Sequence, residues 1–205
     1  MRMGLLLWIC AGAVALGAEE NARTWNFDAD KPGRIAAGFT GVTGQWEVVA
    51  DDNAPSKGQV LAQVAKSEKP AFNVALAAEP KLKDVDLSVK MKAVAGAIDQ
   101  GGGPVWRAKD GQNYYVARFN PLEDNYRLYH VVNGKRTQVQ NAEVKLAEGW
   151  HTLRVTMKGD QIECFIDGQK HIEAKDTTLQ EGGAIGLWTK ADAQTRFDDL
   201  TVSGK

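Results

Sequence analysis

Short turn signals recur along this chain at strand spacing, and no other feature constrains its fold as much. Asp110-Gly111, Asn133-Gly134, Gly159-Asp160, Asp167-Gly168 and Gly182-Gly183 punctuate segments that carry no helical period. Such pairs tolerate positive φ and close tight hairpins whose twist matches that of the flanking strands. The segments between them alternate. Val85 to Met91 runs apolar and polar in turn, so one face is buried and one is wet. His151 to Lys158 does the same, with Leu153, Val155 and Met157 on one side, and Ile162, Cys164 and Ile166 line one face of the next segment. Ala184 to Thr189 and Arg196 to Val202 supply the last two strands. Ala142 to Ala147 comes nearest to a helix, and a loop serves there equally well. Short strands with regular punctuation argue for an all-β sandwich or barrel and against a parallel α/β sheet. Trp25-Asn26-Phe27 and Phe197 to Val202 are both strand-like, and pairing them would close an otherwise open edge.

The first eighteen of the 205 residues read as something other than fold. Arg2 precedes an apolar run from Leu5 to Leu16, and Ala-Leu-Gly-Ala ends it at Ala18, ahead of Glu19 and Glu20. That is the layout of a secretory signal peptide, and the run falls short of the roughly 20 residues a spanning helix needs. Cys10 follows Ile9, where a lipid-anchor motif wants a small residue. The expectation is therefore a secreted or periplasmic protein with no membrane segment in its mature form. Residues 19–205 are then one domain, since no linker, repeat or low-complexity tract interrupts them. Without the leader, 24 Lys and Arg stand against 26 Asp and Glu, which gives no basic footprint for nucleic acid. Cys164 is left alone, so the fold rests on its core without a disulfide; aligned with Ile162 and Ile166, it reads as a small core hydrophobe.

Chemistry-bearing residues are densest between Gly101 and Arg136. In Asn113 to Asn120, Tyr115, Ala117 and Phe119 share one face; Tyr114, Val116, Arg118 and Asn120 share the other. With the first set in the core, the second forms a strip of ring, guanidinium and amide that Arg107 could extend from the preceding strand. Sugar sites combine these groups: an aromatic face stacks on ring C–H groups while planar polar side chains fork to hydroxyl pairs. Trp188 and Lys190 fall on the side opposite Leu187 and join the candidate set. The plainer alternative is sheet surface, because cross-strand aromatic and charged pairs stabilise sheets by roughly 0.2–1 kcal/mol each. A loop covering Trp188 is an equal alternative to a ligand there. Asp192, Asp198 and Asp199 could ligate calcium, but without a recognisable loop spacing no metal site is assigned and no cofactor is expected beyond that option.

Absences narrow the reading. The chain has no Glu-x-Asp-x-x-Glu strand of the kind that sets two carboxylates about 5 Å apart in retaining β-sandwich glucanases. It has no Gly-x-Ser-x-Gly elbow, His-Glu-x-x-His or phosphate-binding glycine loop. His130, His151 and His171 are not at metal-ligand spacing. Glu123, beside Asn120, is the best-placed carboxylate for acid/base work.

The same residues carry a resemblance. Gly103-Pro104-Val105-Trp106-Arg107, Asn113 to Arg118, Asn120 to Asn125, Gly186 to Asp192 and Phe197-Asp198-Asp199 resemble secreted bacterial proteins of the 3-keto-disaccharide hydrolase domain family, along most of Phe27 to Val202. The resemblance implies a concanavalin A-like jelly roll, two curved antiparallel sheets with any sugar site on the concave face. It implies a carbohydrate partner and an exported glycoside hydrolase acting on 3-keto-disaccharides. On such a substrate Glu123 would act as general base, with Arg107, Arg118 or Lys190 stabilising an enolate. The alternatives are a non-catalytic glycan-binding module and a structural or adhesion protein.

Overall fold

A computed structural model describes residues 22–56, 58–66 and 71–205. The expected signal peptide, residues 1–18, lies outside the described residues. These form fifteen strands and no helix, in two antiparallel sheets. The strands are β1 (Arg23–Trp25), β2 (Phe39–Thr43), β3 (Trp46–Ala50), β4 (Gln59–Gln63), β5 (Phe72–Leu82), β6 (Val85–Ala95), β7 (Gly102–Asp110) and β8 (Asn113–Asn120). They continue as β9 (Asn125–Val132), β10 (Lys135–Glu143), β11 (His151–Lys158), β12 (Gln161–Ile166), β13 (Gln169–Lys175), β14 (Gly183–Lys190) and β15 (Gln194–Gly204). One sheet runs β13-β12-β11-β6-β15-β4-β3, with β1 also on β15; the other runs β10-β9-β8-β7-β14-β5-β2. This is the sandwich that alternation and turn spacing indicate.

The hairpins obey the turn chemistry. Asn133-Gly134 and Asp167-Gly168 both hold positive φ at each central residue, 49° and 75° in the first and 49° and 81° in the second. That is the type I′ pattern, and it fixes the registers β9–β10 and β12–β13. The stretch Ala142 to Ala147 is the end of β10 followed by loop.

Between the sheets lies the main core. Leu87, Val89 and Met91 of β6, Leu153, Val155 and Met157 of β11, and Ile162, Cys164 and Ile166 of β12 all face inward and are buried. They meet Trp106, Tyr115, Ala117, Phe119 and Leu187 from the other sheet. Burial pushes the Cys164 thiol far above its usual pKa, consistent with an inert core residue. The termini pair as expected: Thr24 stands opposite Thr201 and Trp25 opposite Leu200. β4 covers β15 only from Thr195 to Phe197, so β1 takes over where the edge would open.

On the outer face of the β6–β15 pair, Asp51 is held by Lys92 and Arg196 (2.9 Å). Burial alone would raise its pKa, but these two partners and the Asn53 N–H outweigh it and pull the carboxyl down to about 2. Its stabilisation is complete above the unfolded value near 3.8 and is lost as pH falls through 2. An acid titration of unfolding free energy should therefore show about 2 kcal/mol disappearing in that window. Asp51→Asn should flatten it; an unchanged acid limb in the variant would refute the assignment.

Candidate functional site

β8 organises the site, and its two faces are the ones the alternation implies. Tyr115, Ala117 and Phe119 enter the core; Tyr114, Val116, Arg118 and Asn120 take the outer, concave side. The exposure of that side is the first correction. Tyr114 and Trp188 are 0% exposed, within a second apolar cluster with Val74, Val105, Tyr129 and Val131. Trp188 Nε1 donates to the Tyr114 hydroxyl at 3.0 Å, and Phe72 packs against the indole at 5.4 Å. Arg136, on edge strand β10, lies over the rings of Tyr129, Phe72 and Trp188 at 4.3, 5.2 and 5.7 Å. Four strands separate β10 from the strand bearing Phe72, so only strong curvature brings these groups together. The sheet curls onto itself, and the rings expected to stack on sugar build a satellite core.

Beyond this cluster, toward Asn120, the concave face turns polar around a residue absent from the sequence-based candidates. Asp99 is 0% exposed and sits in the loop before β7. Its carboxylate accepts from Arg118 Nη2 (3.0 and 2.9 Å), Asn120 Nδ2 (3.3 Å) and the Gly101 N–H (2.7 Å), with Lys190 Nζ 3.4 Å away. A Cβ on Gly101 would come within 2.2 Å of Arg118 Nε, so the loop passes this close only because the residue is glycine. Asp192 pins the same loop by accepting from the N–H groups of Ala97, Ile98 and Asp99.

Arg118 and Asn120 therefore hold the site together, and neither offers free surface to a sugar. Arg118 is 1% exposed; its Nη1 also reaches Glu123 and Asn125, both at 3.2 Å. Asn120 is fully buried and accepts from the Leu122 N–H. Lys190 and Glu123 remain reachable, with side chains 20% and 38% exposed. Glu123 Oε2 is gripped by Arg118, by Asn125 Nδ2 (3.0 Å) and by Arg127 (3.3 Å). Partial burial would raise its pKa; the hydrogen bonds from Arg118 and Asn125 and the two guanidinium charges win, and hold it at about 2. A carboxylate so stabilised is a weak base, which argues against the general-base role.

Arg107 is a further correction. It is the bulged residue of β7, with φ +47°, and this turns its side chain away from the strip. Nearly buried, it donates to the carbonyls of Lys83, Leu179 and Gly159 at 2.6, 2.8 and 2.7 Å and braces three loops. The three aspartates weighed for calcium do not converge either. Asp192 caps the loop described above, Asp199 pairs with Lys90, and Asp198 turns to Ser56.

A groove of about 530 Å³ opens beside the polar cluster, lined by Glu123, Asn125, Arg127, Asn141, Glu143 and Lys145 among others. Glu123 belongs to both the groove and the buried network. Sequence reasoning missed Asp99, Asn125, Arg127 and Arg136. A usable signal existed for Arg136, because the Asn133-Gly134 turn sets it opposite Val131 on the concave face.

A family model described as a 3-keto-alpha-glucoside-1,2-lyase-like domain matches residues 25–203. A search of curated proteins finds no match. Among solved structures, the carbohydrate binding module CBM66 from Bacillus subtilis is similar at a TM-score of 0.68 and 19% identity, over 82% of this chain and 96% of that one. Domain 4 of AbnA, a GH43 extracellular arabinanase from Geobacillus stearothermophilus solved in complex with arabinotriose, is similar at a TM-score of 0.58 and 14% identity, over 91% and 94%. At these identities the likeness concerns the fold.

Proposed function

The chain belongs to the 3-keto-alpha-glucoside-1,2-lyase-like domain family, and on that premise we propose that it is an exported, carbohydrate-active protein that takes 3-keto-glycosides. The supporting observation is a chain of fixed charges: Lys190 pairs with Asp99 and Glu123 with Arg118 of one buried anchor, Arg127 pairs in turn with Glu123, and Glu123 and Arg127 line an open groove. The anchor fixes these charges in place before a ligand arrives, which is what electrostatic stabilisation of a developing oxyanion requires. A C3 carbonyl acidifies the C–H between it and the anomeric carbon. Transfer of that proton to solvent water places charge on the carbonyl oxygen; collapse of the enolate expels the glycosidic oxygen, which takes a proton back from water, and a water molecule adds to the resulting double bond. Lys190, 20% exposed and 3.4 Å from Asp99, suits the carbonyl oxygen.

The reading without cleavage draws on the state of the two carboxylates. Glu123 is held near pKa 2, so it is not poised to take a proton from carbon, and Asp99 commits its oxygens to Arg118 and Asn120. A glycan-binding module needs no such base, and of the two neighbours above one is a carbohydrate binding module and the other is a domain in complex with arabinotriose.

Mass spectrometry of the protein incubated with 3-keto-disaccharides and their unoxidised parents separates the two. Monosaccharide released from the keto substrate alone is expected, with Lys190→Ala lowering kcat/KM on the order of 10²-fold. Intact substrates together with saturable binding would move the function to recognition. Absence of both cleavage and binding would overturn the carbohydrate reading at this site.

A further inference from the structure

Guanidinium groups in this fold come with carboxylates, and one does not. Among the described residues, the buried and half-buried arginines pair as Arg107–Asp84, Arg118–Asp99, Arg127–Glu123, Arg154–Asp86 and Arg196–Asp51. Arg136 is half-buried as well, and no acid or carbonyl among the described residues accepts a hydrogen bond from it. Its Nη1 is shut off from solvent without a partner. The rings of Tyr129, Phe72 and Trp188 under it attract its charge but neutralise none of it. Burial pushes its pKa below the usual arginine range, and Arg118 nearby pushes the same way, against the pull of Asp99. A guanidinium stays protonated in proteins all the same, so what this one lacks is an anion.

Position decides what that anion belongs to. The β9–β10 register sets Arg136 opposite Val131, on the concave face. Its guanidinium leans over Tyr129, and the next concave-face residue along β9 is Arg127, which lines the groove. Arg127 in turn stands opposite Arg118 across β8 and β9. Arg118 Nε, on a side chain 1% exposed, is a second N–H of this cluster without an acceptor. The neighbouring acids are engaged: Asp99 with Arg118 and Lys190, Glu123 with Arg118 and Arg127, Asp124 with Lys145. Glu143, the remaining acid of the groove, is exposed and holds no cation among the described residues. An uncommitted guanidinium thus borders the groove assigned above to sugar, and part of its side chain stays open to solvent.

We propose that Arg136 forks to the carboxylate of an acidic sugar, so that this face recognises a glycan containing uronic acid. The proposal rests on the carbohydrate reading above and names the class of sugar. A carboxylate offers two coplanar oxygens that match the planar guanidinium, and a charge-assisted pair is stronger than the bond a neutral hydroxyl makes there. The rings under Arg136 hold its side chain in place before a ligand arrives, so little freedom is lost on binding. A neutral hexose in the same position would leave the cation unpaired.

Isothermal titration calorimetry at low salt tests this with a galacturonate trisaccharide and a glucuronate trisaccharide, each beside its methyl ester. Esterification removes the charge and keeps the ring. At least one acid should bind about 10-fold or more tightly than its ester. In Arg136→Met, which still covers the rings with an apolar stem, that preference should fall to about 2-fold or less. Arg136→Lys keeps the charge without the fork and should fall between. Acetate at the concentration of the sugar should not displace it. Equal affinity for acid and ester in the unaltered protein overturns the proposal with no variant needed, and leaves the carbohydrate reading standing. A preference that survives Arg136→Met also overturns it and places the recognition on Lys190 or Arg127. Displacement by acetate overturns the sugar part, leaving a site for small anions. If acids, esters and neutral trisaccharides all fail to bind, the carbohydrate reading falls together with the proposal.

Discussion

Asp99→Ala is expected to lower the unfolding free energy by about 3–5 kcal/mol, the cost of leaving a buried charge without its partner. Arg118 is 1% exposed and directs two hydrogen bonds at this carboxylate; Asn120 and the Gly101 N–H direct two more. Truncation strands all of these donors at once. The sharper test pairs the mutations. Removing both charges with Asp99→Ala and Arg118→Leu leaves no uncompensated ion, so the double variant should be more stable than Asp99→Ala alone. Urea unfolding at constant m-value measures all three. A loss below about 1 kcal/mol for Asp99→Ala, or strict additivity in the double variant, would mean that the cluster is more hydrated than its burial implies. The anchor assigned to the groove would then lose its rigidity. Lys190→Ala should cost little stability, because its ammonium is partly solvated and Asp99 keeps its other donors.

The contrast between Arg118 and Arg107 shows how far the sequence could be read. Strand periodicity sets Arg118 on the strip, and Arg107 could extend that strip from the preceding strand. For Arg118 that placement is right, since β8 keeps strict alternation from Tyr114 to Asn120. Arg107 sits at a bulge, and the register shift in β7 after Trp106 redirects it to three loop carbonyls. Nothing in Val105-Trp106-Arg107 announces the bulge, because no glycine marks it. Strand positions, the hairpin turns, the pairing of the termini and the burial of Cys164 were all legible for a common reason: they follow from local pattern and turn chemistry. Curvature does not. Whether Tyr114 meets water depends on β10 arching over toward β5, a contact between segments far apart in sequence. Asp99 was hidden for a related reason. It lies in an irregular loop with no periodicity, and only the fold shows that Arg118 points at it.

Trp188 makes the difference between pattern and environment measurable. As a sugar platform it would be dispensable for folding, and Trp188→Ala would reduce glycan affinity with little change in stability. As the buried residue it is, packed against Phe72 and bonded to Tyr114, it should cost about 3–5 kcal/mol when truncated to alanine. Trp188→Phe separates the contributions further. It keeps an aromatic face, so a stacking platform would tolerate it well. It also removes the Nε1 donor to the Tyr114 hydroxyl, so a satellite core should register about 1–3 kcal/mol for the unsatisfied buried group. Burial has already pushed that phenol well above its ordinary pKa, so ionisation will not relieve the loss at neutral pH. If Trp188→Phe is neutral for stability while Trp188→Ala abolishes binding in a fully folded protein, the concave face opens in solution and its rings meet the ligand after all. If both variants lose stability in that order and the folded fraction keeps its affinity, ligand recognition belongs to the rim, to Lys190, Arg127 and Glu123.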